Sequence, residues 1–145
     1  MIQFSNADVT PSVKGKTALK DMLRDLFKQE GNKLTSLHYV FCSDEYLLQI
    51  NKDFLQHDYY TDIITFEMAD NPRAGVEGEI YISVDRVKEN ARDLGVRVYE
   101  ELLRVIFHGA LHLCGYKDKT SKDSKKMREM EDKYLELFQE RLSRG

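Results

Sequence analysis

Two histidines, His108 and His112, stand four residues apart, and Gly115 and Asp118 follow them. Four residues is just over one helical turn, so both imidazoles project from one face, with Cβ atoms roughly 6 Å apart. Each ring can turn a nitrogen toward the same ion. Gly115 lets the chain turn back, which can bring the Asp118 carboxylate in as a third ligand. Two imidazole nitrogens and one carboxylate oxygen leave a fourth tetrahedral position open, the arrangement of a catalytic rather than a structural zinc. Nickel and other divalent metals also accept imidazole. The helix around these rings is strongly apolar, and ligation would remove the cost of burying unpaired imidazoles there.

The same spacing, ending in histidine, occurs in the metzincin pattern H-E-x-x-H-x-x-G-x-x-H. There the glutamate after the first histidine serves as general base. Here that position is Gly109, so a peptidase mechanism of that type is disfavoured, and a zinc hydrolase of another bond is the second reading. Activation of water falls to the ion itself or to a group from elsewhere in the chain. Lys117, Lys119, Lys122, Lys125, Lys126 and Arg128, against Asp118 and Asp123, make a basic rim beside the proposed ion. A rim of that kind suits a phosphodiester. Tyr59, Tyr60, Tyr81 and Tyr116 are able to stack on bases, although tyrosines also simply pack. Asp62, polar within a β-branched segment, is expected to hydrogen-bond a ligand histidine and fix its tautomer.

Positioning such a site takes several elements. Ala18, Leu19, Met22, Leu23, Leu26 and Phe27 form the apolar stripe of a helix over about 14–29, ended by Gly31-Asn32. Leu34 to Cys42 reads as a strand, and residues 2–5 as a short edge strand. Ser43-Asp44-Glu45 starts a helix to about Leu55, with acid in its first turn. Thr61–Phe66 and Glu79–Val84 are β-branched and read as strands joined through a turn at Asp70–Gly75. A helix opens at Asp85 and closes at Gly95. Tyr99 to Cys114 is apolar on most faces and so predicts a central, buried helix that carries both histidines. Thr120 to Asp123 has capping-box spacing and starts a last helix to about Leu142. The expected fold is α+β, with a small mixed sheet of about four strands and about five helices.

The composition agrees with one domain over residues 1–145. A chain of this length buries roughly 70% of its unfolded surface, enough for a core without disulfides. With 41% hydrophobic and 32% charged residues, disorder from low hydrophobicity is excluded. The net charge of −3 excludes a binder that is basic throughout. No apolar run approaches a membrane span, and the N-terminal residues lack a signal-peptide pattern. Cys42 and Cys114 are expected as reduced thiols in a cytoplasmic protein.

The run His108-Gly109-Ala110-Leu111-His112-Leu113-Cys114-Gly115-Tyr116-Lys117-Asp118 resembles the H-G-x-L-H-L-x-G-x-D-H signature of the YbeY family of endoribonucleases. Ile50-Asn51, Thr61–Phe66 and Gly78–Ile82 resemble that family's L-N, T-D-V-L-S-F and G-D-I segments. The resemblance implies a metal-dependent endoribonuclease, usually described with zinc, that acts on single-stranded RNA. It further implies a role in rRNA maturation, notably at the 16S 3′ end, and in ribosome quality control, with the ribosome or ribosomal proteins as partners and no membrane. The metal ligands carried over are His108, His112 and Asp118, aspartate standing where the family has histidine. The family's cleft arginine falls at Leu55, so phosphate anchoring is expected from His57 or from Lys117, Lys119 and Lys122. A ribosome-associated factor with a structural metal is the third reading, disfavoured because structural zinc takes four ligands.

Overall fold

A computed structural model of the chain describes residues 1–144. Five helices and one mixed four-stranded sheet make up the fold, which is α+β as expected. In chain order they are β1 (Ile2–Asn6), α1 (Lys16–Gln29), β2 (Leu34–Cys42), α2 (Asp44–Leu55), β3 (Ile63–Glu67), β4 (Val76–Ser83), α3 (Val84–Leu94), α4 (Val98–Leu113) and α5 (Ser121–Arg144). The sheet order is β1-β2-β4-β3. β1 and β4 lie parallel to β2 on either side, and β3 closes the other edge antiparallel to β4.

The two faces of the sheet are covered unequally. Leu37, Tyr39 and Phe41 of β2, with Ile80 and Ile82 of β4, join the main core under α1, α4 and α5. Cys42 and Ile64 face the other way, into a small cluster closed by Leu47 of α2. This double cover is why β2 is buried continuously from Tyr39 to Cys42 and does not alternate.

Helix ends follow their local chemistry. The Ser43 hydroxyl accepts from the Tyr46 amide at 3.2 Å and caps α2. Ser83 does the same for α3 through Arg86 at 3.1 Å, and Gly95 ends α3 at φ 70°. Thr120 caps α5 by accepting from the Asp123 amide at 3.1 Å. β4 begins at Val76, earlier than its β-branched run indicates, because its backbone pairs with β2 from Leu34 onward. β3 begins only at Ile63, paired with Ile82, which leaves Thr61 and Asp62 before the strand.

α4 is the axis of the molecule. Residues on nearly every side of it are buried, among them Leu102, Leu103, Ile106, Phe107, Ala110 and Leu111. The Tyr39 hydroxyl donates to the Ile106 carbonyl at 2.7 Å and ties the sheet to this helix from inside the core. Gly109 allows the approach: a Cβ there would stand 2.9 Å from Ile63 Cδ1 and 3.0 Å from Ile80 Cδ1. Cys42 and Cys114 are free thiols. No helix among the described residues is long and apolar enough to cross a membrane.

Candidate active site

An open cleft of about 450 Å³ lies where α4, α5 and the start of β3 meet. His108, His112 and Asp118 all line it, together with Asp62, Glu101, Arg104, Arg128 and Glu131. Gly115, at φ 105°, occupies the left-handed region that lets the chain leave α4 and carry Asp118 back over the helix end.

His108 is held on both sides. Its Nδ1 lies 2.7 Å from Glu131 Oε2 and its Nε2 lies 3.3 Å from Asp118 Oδ2. The carboxylate of Glu131 can only accept, so Nδ1 carries a proton, and the contact with Asp118 is attractive when Nε2 is protonated as well; an ion at Nε2 would take the place of that second proton. His112 shows the same logic with a backbone partner. Its Nδ1 is 3.1 Å from the Tyr116 carbonyl, which can only accept, so Nδ1 carries the proton and Nε2 keeps its lone pair. Metal-ligating histidines commonly donate their second nitrogen to a carboxylate or a carbonyl in this way.

The donor set therefore fits a divalent ion in chemistry, and two of its members already touch. As they stand, no three His, Cys, Asp or Glu side chains among the described residues form a group that could hold an ion. His108 and Asp118 are paired, while His112 has no carboxylate within ion-pair distance.

The electrostatics of the cleft are set by buried carboxylates. Burial works to lower the His108 pKa, but the hydrogen bond and charge of Glu131, with Asp118 and Asp62, outweigh it and raise it above the ordinary value. Burial pushes the Asp62 carboxyl up, opposed by His108. Burial likewise raises Glu101, with the charge of Asp62 adding to it. Glu131 is shared: it also accepts from Arg104 Nη1 at 3.0 Å, and Arg104 Nη2 reaches Asp132 at 2.8 Å.

Several expected site residues lie elsewhere. Asp62 lines the cleft but hydrogen-bonds neither ring; its carboxylate accepts from Asn90 of α3 at 3.2 Å. The place behind His108 is taken by Glu131, from the next helix. Lys117 and Lys119 lie before α5 and Lys122 in its first turn; all three are exposed and none lines the cleft, to which α5 contributes Ser124, Met127, Arg128 and Glu131. His57 stacks on Tyr59 in the loop after α2, with ring centroids 5.0 Å apart and Tyr59 Oη 2.9 Å from Nδ1. Neither it nor Leu55, 39% exposed, lines the cleft. The cations that do line it are Arg104 and Arg128. Glu131 carried one signal in the sequence: it sits among Met127, Met130, Tyr134 and Leu135, on the buried face of its helix. An acid in that stripe needs a buried partner.

Comparison with known proteins identifies the family. The family model described as Endoribonuclease YbeY matches residues 2–139. The chain is 48% identical to Endoribonuclease YbeY of Cytophaga hutchinsonii over 136 residues, 94% of each chain. It is 41% identical to that of Flavobacterium psychrophilum over 138 residues, covering 95% of this chain and 96% of the relative. Among solved structures, the solution structure of TM1509 from Thermotoga maritima superposes with a TM-score of 0.67 at 31% identity, covering 99% of this chain and 92% of that one. A match over nearly the whole length, with the histidine pair and its cleft in place, assigns the chain to the endoribonuclease YbeY family.

Proposed function

We propose that this protein is a metal-dependent endoribonuclease that cuts single-stranded RNA in the α4–α5 cleft. Its substrate is ribosomal RNA during maturation, with the 3′ end of 16S rRNA as the favoured position and a further role in ribosome quality control. It works in the cytoplasm with the ribosome or ribosomal proteins as partners. The residues that would hold the ion are His108, His112 and Asp118. When bound, zinc or another divalent ion such as nickel supplies positive charge to the scissile phosphate and lowers the pKa of water at the site.

The observation that carries the reading is the pose of His108, with one nitrogen on the buried Glu131 carboxylate and the other beside Asp118. The rest of the work belongs to the chain. Glu131 and the Tyr116 carbonyl orient the two rings. Gly109 brings no base, so the cleft carboxylates Asp62 and Glu101 are the groups placed to accept or hold a proton. Single strands are favoured because a duplex fixes the backbone shape and stacks its bases away.

The test combines metal analysis with cleavage. The zinc-loaded protein is expected to cut a single-stranded oligoribonucleotide and to leave its duplex largely intact. His112→Ala should abolish tight metal binding; Asp118→Ala should weaken it and Asp118→His should retain it. Undiminished metal in His112→Ala would place the ion elsewhere. Cleavage that survives a strong chelator would overturn metal dependence.

A further inference from the structure

The cleft is acidic for a site that must admit a polyanion. Four carboxylates line it, those of Asp62, Glu101, Asp118 and Glu131, against the two guanidinium groups of Arg104 and Arg128. One of those cations is already committed. Arg104 is 19% exposed in its side chain, with one arm on Glu131 and the other on Asp132. Turning it toward a phosphate would break two charge-assisted hydrogen bonds and leave Glu131 carrying a less compensated charge.

Arg128 is placed differently. It is exposed, it lines the cleft, and among the described residues it has no carboxylate within ion-pair distance. Its position on α5 is fixed from both sides. Ser124, one turn before it, donates from its hydroxyl to the Asp118 carbonyl at 2.9 Å. Glu131, one turn after it, holds His108. Residues at i, i+4 and i+7 share a helix face, so Arg128 stands between the residue that touches the Asp118 turn and the one that touches the His108 ring. Met127 beside it is buried, which anchors this stretch of α5.

We propose that Arg128 is the phosphate-anchoring residue of this cleft. It meets a non-bridging pair of phosphate oxygens of the RNA backbone with its planar guanidinium. The inference rests on the nuclease reading for its RNA substrate, but the group recognised is any phosphate monoester or diester that enters the cleft. Arginine suits the task because its fork of donors matches two phosphate oxygens at once, which a lysine cannot do. The role expected for Lys117, Lys119 and Lys122 passes to Arg128, which lies further along the chain and lines the cleft. The competing role is charge compensation of Glu101, whose carboxyl feels Arg128 without being paired to it.

The experiment uses the zinc-loaded full chain and its Arg128→Gln and Arg128→Lys variants. Binding is followed by fluorescence anisotropy with a single-stranded oligonucleotide made uncleavable by 2′-O-methylation, over a series of salt concentrations. Binding of uridine 3′-monophosphate is followed in parallel by NMR. Arg128→Gln should weaken oligonucleotide binding about tenfold or more and lower the slope of log affinity against log salt by about 0.7, the share of one single-strand phosphate contact. Arg128→Lys should restore the slope and only part of the affinity. Mononucleotide binding should fall with Arg128→Gln, while zinc content and the melting temperature stay put. An unchanged slope and affinity in Arg128→Gln would overturn the proposal. So would a shifted melting temperature with unchanged phosphate affinity, which would make Arg128 the charge partner of Glu101. If the wild type binds the mononucleotide through Arg128 yet neither binds nor cuts RNA, the anchor stands and the nuclease reading falls. Binding of neither ligand by the wild type would sink both.

Discussion

Glu131 decides how His108 presents itself. Its carboxylate is almost fully buried and serves two partners, the imidazole of His108 and the guanidinium of Arg104. Replacing it with glutamine keeps the volume but removes the charge that favours the Nδ1–H tautomer. Glu131→Gln should therefore lower zinc affinity by about 10- to 100-fold, the usual cost of losing such a supporting carboxylate. Competition against a zinc-binding dye measures this, and an affinity within twofold of wild type would count against it. That His108, His112 and Asp118 line one cleft was legible in the sequence, because they are close along the chain and one helix plus one turn relates them. Glu131, Glu101 and Arg104 were not, since their roles depend on how two helix faces meet, which spacing does not encode. Asp62 was drawn toward the histidines by its polarity, but its carboxylate goes to Asn90 on α3. Position in the chain told which residues were unusual, and packing told what they touch.

At the scale of elements, the contact between α4 and the sheet carries the site. Gly109 lies between the two histidines on the sequence and against Ile63 and Ile80 in space. It supplies no general base, and a Cβ there would meet Ile63 and Ile80 at 2.9–3.2 Å, so those side chains would have to shift. Gly109→Val would force α4 away from β3 and β4, or push both isoleucines off their rotamers. Overpacking of this kind costs about 1–3 kcal/mol, and a β-branched residue gives little back in helix propensity. Urea denaturation should report a loss in that range, and a change below about 0.5 kcal/mol would show that the interface yields freely. The helices were legible almost residue for residue, because caps and apolar stripes are local signals. The strand bounds were less so. β4 starts early through pairing with β2, and β3 starts late where the Ser83 amide bonds the Asp62 carbonyl at 2.9 Å. Both ends are set by a partner strand distant in sequence.

Across the whole molecule, the mixed sheet and its helices were expected, but the strand order was not derivable from local patterns. β4 reaches the centre of the sheet because it runs beside β2, while β3 is left at the edge. The buried helix α4 then lies across this sheet with α1 and α5 beside it. Glu30, just past the end of α1, accepts from Tyr116 at 2.7 Å and from Tyr134 at 2.5 Å. One carboxylate thus fastens the turn after α4 and the middle of α5 to a third helix. The cleft is therefore assembled from parts braced at both ends.

The bond between His108 and Glu131 has a thermodynamic consequence, since it joins a proposed metal ligand on one helix to a residue on another. Any ion that prefers the seated ring must, by linkage, also prefer the docked α5. Occupancy and helix docking are then two readings of a single equilibrium, and a free ligand at a hundred times its dissociation constant adds about 2.7 kcal/mol to the stability of whatever state it selects. Hydrogen exchange measures this directly. Zinc should slow exchange of amides in the middle turns of α5, around Tyr134 and Leu135, residues that are no ligands themselves. Glu131→Gln should uncouple the two, so that added zinc protects α4 but leaves α5 exchanging as before. Equal protection of α5 in the variant would show that the two helices answer to the ion by some other route. On this account the C-terminal helix, although most of its length is remote from the chemistry, acts as a gauge of whether the centre is filled.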